Sequence, residues 1–125
     1  MTAYKENYSW VYIGLAVLIG GAVLYFFFFS SSSGYVNVKY RDDKVNISAN
    51  NFELLDESDS TVKGAWYDDG NEYMVIKLGG TYYHYCGMPS NVWSNFKTSS
   101  SLYRYYQGSI KGNFDCRENP APRYE

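Results

Sequence analysis

An uncharged apolar segment, Trp10 to Phe29, constrains the fold of this chain more than any other part of the sequence. At a helical rise of about 1.5 Å per residue, its length matches the hydrocarbon core of a bilayer, which is about 30 Å thick. Trp10 and Tyr25 lie near its ends, where amphipathic rings favour the headgroup region. We therefore expect residues 10–29 to form a transmembrane helix that contacts the lipid bilayer, between an N-terminal segment (1–9) and a Ser-rich spacer (30–34).

A cleaved signal peptide is the main alternative for this segment, because serines with the spacing of a cleavage site follow it. The apolar run is longer than a usual signal core, and Lys5 is the only basic side chain before it. Gly14, Ala16 and Gly20 leave parts of the expected helix small enough for a second helix to pack closely, although glycine and alanine in such helices also face lipid.

The rest of the chain is long enough for one small domain, and its charge narrows the classes of partner. The formal net charge is −2, and lysines and arginines are scattered among acidic residues, which argues against nucleic acid as a partner. Tyrosine is unusually common, with 15 residues. Its amphipathic ring suits both a small packed core and an interaction surface, and both interpretations stay open.

Alternating and helical periodicities predict an α+β domain, a small antiparallel sheet covered by one or two short helices. Residues 35–59 are interpreted as N-terminal strands and a linker, with strands at Tyr35 to Tyr40 and Val45 to Ser48. A three-stranded meander is expected next, with strands at 62–67, 73–78 and 82–86.

The cover for the sheet is predicted from the residues that follow the meander. Val92, Trp93 and Phe96 share one side of a helix from Ser90 to Lys97, with Ser90 as its cap. A second helix at 102–107, a last strand at 110–116 and an irregular or docked tail at 118–125 are expected to complete the domain.

Cys86, Cys116 and His84 are the residues that would bring metal or nucleophilic chemistry. They lack CxxC spacing and the four ligands of a structural zinc site, so no metal or cofactor is expected. The two cysteines form a disulfide if the domain faces an oxidising space, but two free thiols are the favoured interpretation. His84 has no Ser, Cys or carboxylate at a recognisable motif spacing, so no catalytic residue is assigned.

From Ser60 to Arg117 the chain resembles the KTSC domain, which occurs alone in small proteins and at the C-terminus of some lysyl-tRNA synthetases. The residues that carry the resemblance are Ser60, Tyr67-Asp68, Tyr83-His84-Tyr85, Gly87-Met88-Pro89, Ser100-Ser101, Tyr105-Tyr106 and Ile110-Lys111-Gly112. The resemblance implies a compact α+β fold for residues 60–117 with no established chemistry, and RNA binding has been suggested for the family.

The tyrosines around this central motif are the candidate interaction residues. Tyr83 and Tyr85 point to one face of their strand and His84 to the other. Packing of both tyrosines under the helix of Trp93 is favoured over base stacking. The full candidate set is Tyr83, His84, Tyr85, Tyr103, Tyr105 and Tyr106.

These features favour a non-enzymatic, single-pass membrane protein that contacts partner proteins in a larger assembly. One such setting is a virion with an internal membrane, where a small bitopic protein links bilayer to coat. RNA binding by family analogy is the alternative, an enzyme ranks last, and no small-molecule substrate is evident. Lys39, Arg41 and Lys44 follow the span whereas only Lys5 precedes it, so the positive-inside rule favours a cytoplasmic domain.

Overall fold

The computed structural model describes residues 34–124, which fold into an α+β domain. The strands are β1 (Tyr35–Val36), β2 (Val45–Asn46), β3 (Glu53–Leu54), β4 (Val62–Asp68), β5 (Tyr73–Leu78) and β6 (Thr81–Cys86). They are followed by helices α1 (Ser90–Lys97) and α2 (Leu102–Tyr105) and a π-helical turn (Tyr106–Ile110). The strands form an antiparallel sheet in the order β3-β4-β5-β6 and a separate β1-β2 hairpin. The expected fold class, an antiparallel sheet with two short helices, is confirmed.

Strand β5 is the centre of the domain, because its first four residues are buried. Met74 and Ile76 belong to the core cluster that includes the helices, whereas Tyr73 and Val75 belong to a second cluster on the other face. A strand covered on both faces needs a continuous apolar run, and the YMVI sequence of β5 supplies one.

The helical layer covers one face of the sheet through Trp93 and Phe96, which are 2% and 0% exposed. The Trp93 ring stacks on Tyr67 with 5.1 Å between ring centroids, and its Nε1 donates a hydrogen bond to Glu53. The expected cap by Ser90 does not form, because Ser90 is the first helical residue and Pro89 occupies the cap position. The spacing of aromatic residues therefore predicts the face of α1 but not its cap.

The other face of the sheet is covered by the β1-β2 hairpin and by the C-terminal segment. Val38 and Val45 are buried against Tyr73 and Val75. The Tyr124 ring packs beside Phe52, and its hydroxyl donates a hydrogen bond to the buried Asp68 carboxylate. Residues 121–124 thus dock along the sheet without forming a helix or strand.

The predicted strand at 110–116 is wrong. The π-helical turn includes Ile110, and the following residues turn sharply, with φ of +86° at Gly112 and +56° at Phe114. The predicted strand at Tyr35 to Tyr40 is also shorter. Strand β1 ends at Val36, Val38 pairs with Tyr82 in an isolated bridge, and Tyr40 turns the chain with a φ of +69°. Strand β3 was not predicted, since two residues are too few to show alternation.

The expected transmembrane helix at 10–29, its candidate packing residues Gly14, Ala16 and Gly20, and the flanking segments 1–9 and 30–33 lie outside the described residues. Within residues 34–124, no helix has the length and hydropathy needed to cross a bilayer.

Candidate functional site

A cleft of about 970 Å³ lies along β6, the last strand of the sheet. Three segments enclose it: the loop at 40–43, the middle of β6, and the stretch at 112–123. The lining residues are Tyr40, Arg41, Asp42, Asp43, Tyr83, His84, Tyr85, Gly112, Asn113, Asp115, Cys116, Arg117, Ala121 and Arg123. Aromatic rings and charged side chains therefore meet at one edge of the sheet.

The backbone of β6 is open at the centre of this cleft. On its outer edge, the carbonyl of Tyr82 accepts a hydrogen bond from the Lys39 N–H, and the N–H of Cys86 donates to the Phe114 carbonyl. Backbone groups of alternate residues point to the same edge, so those of His84 also point outward. Neither group forms a hydrogen bond with another residue of 34–124. The cleft thus exposes one backbone donor and one acceptor.

The His84 side chain belongs to a polar network on the face of the sheet opposite to Tyr83 and Tyr85. Its Nδ1 lies 2.9 Å from the Tyr73 hydroxyl, which also accepts a hydrogen bond from Arg41. Burial and the nearby Arg41 charge lower the pKa of His84, so the imidazole is neutral at pH 7. Burial raises the pKa of Tyr73 to about 12. The network therefore consists of two neutral rings, His84 and Tyr73, and the Arg41 guanidinium, and it fixes the orientation of the His84 imidazole.

Arg41 also holds the wall of the cleft in place. Its guanidinium pairs with both carboxylate oxygens of Asp43 and donates to the Pro122 carbonyl, 81 residues along the chain. The hydrogen bonds from Arg41 lower the pKa of Asp43. Only 5% of the Arg41 side chain is exposed, so its guanidinium binds groups of this domain and is not open to a ligand.

The six candidate interaction residues separate into three groups. Tyr83, His84 and Tyr85 line the cleft. Tyr106 is buried in the helical layer and its hydroxyl lies 2.5 Å from that of Tyr85, so it supports the cleft from behind. Tyr103 and Tyr105 are half-buried beside the helical core cluster and do not line the cleft.

Tyr40 lines the cleft and Lys39 lies against its ring, and neither was predicted from the sequence as part of the site. Tyr40 is 84% exposed, and its positive φ is unfavourable for a bulky residue. The Lys39 ammonium lies 5.1 Å from the Tyr40 ring centre and 5.5 Å from that of Tyr83. A strained and exposed aromatic residue is a feature of binding sites, and the positive φ that reveals it is a property of the folded chain.

Cys86 and Cys116 are joined by a disulfide, with 4.8 Å between their Cα atoms. The structure therefore differs from the expectation of two free thiols. The turns after Ile110 bring Cys116 to the end of β6, which sequence spacing does not reveal. A ligand atom of His84 lies within 4.8 Å of both sulfurs. In the disulfide, neither sulfur is a thiolate nucleophile or metal ligand.

Comparison with known proteins identifies the family. A search among curated proteins found no match. The chain is similar to the crystal structure of a KTSC domain protein from Yersinia pestis, with 29% identity over 51% of this chain and 92% of that chain and a TM-score of 0.48. The family model for the KTSC domain matches residues 46–114, which extends the predicted start at Ser60 back into β2. Because this match covers more than half of the sequence, the chain belongs to the KTSC domain family.

Proposed function

We propose that this protein is a non-enzymatic interaction module, held at a membrane by residues 10–29, whose cleft along β6 binds an extended segment of a partner protein. The open backbone at His84 carries this proposal. An extended chain that enters the cleft satisfies the exposed N–H and C=O by pairing with β6, as in other cases of strand addition. The flanking pairings at Tyr82 and Cys86 limit the contact to a short segment.

The aromatic residues of the cleft supply contact area for such a segment. Tyr83 and Tyr85 are half-buried on one side of β6, and Tyr40 stands exposed at the opening. Tyrosine gives a large amphipathic surface with few rotatable bonds, so ordering it costs little side-chain entropy. Apolar side chains of the partner are expected to pack on these rings.

The charges of the cleft favour a protein over a nucleic acid. Arg41 pairs with Asp43, and Arg117 pairs with Asp115. Arg123 and Lys39 form no ion pair with another residue of 34–124, but Asp42 lies in the same lining as Arg123. A phosphate backbone requires several uncompensated cations, so RNA binding is the weaker alternative.

Site-specific crosslinking tests the open backbone. With a photo-reactive benzoylphenylalanine in place of Tyr40, we expect the full-length protein in its native membrane to crosslink to a discrete partner protein. Alanine and proline at position 84 both remove the imidazole, but proline also removes a donor that points away from the sheet, which an edge strand tolerates. His84→Pro is therefore expected to reduce the crosslink several-fold, whereas His84→Ala keeps the N–H and retains most of it. A lost hydrogen bond of about 0.5–1.5 kcal/mol accounts for part of the difference.

The matched control uses the opposite edge of the same sheet. Leu54 on β3 is 54% exposed, so the same photo-reactive residue there also reaches solvent without facing the cleft. Equal crosslinking from positions 40 and 54, or equal yields for His84→Pro and His84→Ala, would show that β6 does not bind the partner. If ribonuclease digests the crosslinked product, the partner at this cleft is RNA and not a protein.

The membrane anchor is supported by the twenty uncharged residues from Trp10 to Phe29, which include twelve Leu, Ile, Val or Phe side chains. Each contributes roughly 0.3–0.6 kcal/mol to insertion, so the sum is roughly 4–7 kcal/mol in favour of the bilayer. An anchored domain of this size suits a component of a larger assembly, such as a virion with an internal membrane.

The disulfide supports an oxidising environment for the domain. Disulfides persist outside the cytosol, including at virion surfaces, and are reduced inside it. The positive-inside bias that favours a cytoplasmic domain depends on Lys39, Arg41 and Lys44. Arg41 forms an ion pair with Asp43 within the domain, which weakens this bias. We therefore place the domain on the oxidising side of the membrane.

Intact-mass measurement of the protein from its native membrane tests the anchor and its orientation together. We expect a protein that resists alkaline carbonate extraction, retains residues 1–30, and is two hydrogen atoms lighter than the fully reduced chain. A mature chain that begins near Gly34 would mean that residues 10–29 are a cleaved signal peptide. A full-length chain with two free thiols would place the domain in the cytosol.

A further inference from the structure

His84, Cys86 and Cys116, whose side chains are of types that commonly bind metals, lie together at the end of β6. Ligand atoms of His84, Cys86 and Cys116 all lie within 4.8 Å of one another. Two thiolates and one imidazole are a ligand set that Zn²⁺ accepts, with water in the fourth position. In such a site the ligand atoms lie roughly 3.3–3.8 Å apart, because the metal bonds are about 2.0–2.3 Å long. Shifts of roughly 1–2 Å would bring the three ligand atoms to these distances.

Contacts other than the disulfide keep the two cysteines together. The Cys86 N–H donates to the Phe114 carbonyl at 2.8 Å, two residues before Cys116. Farther along the segment, Arg41 binds the Pro122 carbonyl and Tyr124 binds Asp68. The Cys116 thiol is therefore expected to stay near His84 after the sulfur–sulfur bond is broken.

A second interaction prepares the imidazole. The Tyr73 hydroxyl contacts Nδ1 of His84 at 2.9 Å, and this hydroxyl is in turn held by Arg41. Nε2 forms no hydrogen bond with another residue of 34–124. Metal-binding histidines usually have one ring nitrogen oriented in this way while the other binds the metal. His84 and Cys116 both line the cleft, which gives a cation a path to the site.

We propose that the reduced domain binds a thiophilic divalent cation such as Zn²⁺ through His84, Cys86 and Cys116. Reduction adds two electrons and two protons to the disulfide and gives two thiols. The electrons come from a dithiol, which is itself oxidised to a disulfide. The cation then displaces both thiol protons to solvent and binds two thiolates. Disulfide and metal are mutually exclusive, so the protein exchanges one crosslink for the other as the redox environment changes.

Cobalt titration of the full-length protein tests this site. A trialkylphosphine reduces the disulfide, takes oxygen from water to become the phosphine oxide, and is removed under anaerobic conditions. We expect one equivalent of Co²⁺ to produce thiolate-to-cobalt charge-transfer absorption and the visible absorption of a tetrahedral site, and Zn²⁺ to displace it. The oxidised protein is expected to show neither absorption.

Three variants distinguish the proposed ligands from incidental thiol binding. Cys116→Ser is expected to abolish the tetrahedral spectrum, and His84→Ala to lose the imidazole contribution and weaken binding. Tyr73→Phe retains all three ligands but removes the contact to Nδ1, so we expect metal affinity to fall about 10–100-fold. Circular dichroism of each reduced variant checks that it is folded. The proposal is overturned if the reduced protein gives no cobalt spectrum, or if His84→Ala gives the same spectrum and affinity.

Discussion

Replacing Trp93 by Ala is expected to lower the free energy of unfolding by about 3–5 kcal/mol, as is typical when a large buried aromatic residue is removed. Trp93 is 2% exposed, and its ring stacks on Tyr67 and packs beside Phe96. The substitution therefore leaves a cavity between α1 and β4 and removes the hydrogen bond to Glu53. Urea unfolding of the full-length protein in a mild detergent, followed by circular dichroism, measures the loss.

Trp93→Phe separates the cavity from the hydrogen bond. Phenylalanine retains most of the ring volume but cannot donate to Glu53, so the expected loss is smaller than for Ala. A loss below about 1 kcal/mol for Trp93→Ala would show that the site collapses without a cavity or that Trp93 is exposed. Because domains are stable by only about 5–15 kcal/mol, the expected loss is a large fraction of the total.

Reduction of the Cys86–Cys116 disulfide is expected to lower the free energy of unfolding by about 3–4 kcal/mol. The bond joins residues 30 positions apart, so it removes many open conformations from the unfolded chain. Parallel urea titrations of the oxidised and phosphine-reduced protein measure the difference. A chelator must be present in both titrations, because a metal bound by the two thiols would restore part of the stability.

The double variant Cys86→Ala, Cys116→Ala is the control for this experiment. It has no bond to reduce, so its unfolding midpoint is expected to be the same with and without phosphine. If the reduced wild-type protein has the midpoint of the oxidised protein, with both thiols shown to be free, the disulfide adds no stability. The contacts of Phe114, Pro122 and Tyr124 would then hold the segment unaided.

Local periodicity was sufficient to predict the centre of this fold. The apolar run of β5, the turn residues on either side of it and the aromatic spacing of α1 predict the structure because these signals lie within or next to the elements that they specify. The stretch Ile110 to Cys116 shows the limit of this approach. Its alternating pattern resembles a strand, but Gly112 and Phe114 adopt positive φ and turn the chain back to β6. Tertiary contacts override the pattern there.

The cleft was only partly predictable, because long-range pairing forms it. The central motif identified Tyr83, His84 and Tyr85, which are neighbours in sequence. Tyr40 enters the site because Val38 bridges to Tyr82, 44 residues away, and no local signal marks that pairing. Asp68 accepts hydrogen bonds both from Asn71, three residues away, and from Tyr124 at the far end of the domain. Sequence patterns do not report contacts at these separations.

The position of the disulfide also determines how the domain responds to proteolysis. Both helices and the π-helical turn lie between Cys86 and Cys116, inside the loop that the bond closes. A single cut in the connection between α1 and α2 leaves the two pieces covalently joined, with α1 still attached to β6. Release of the helical layer requires a second cut or a reductant. Oxidation thus keeps a nicked molecule whole in a compartment that contains proteases.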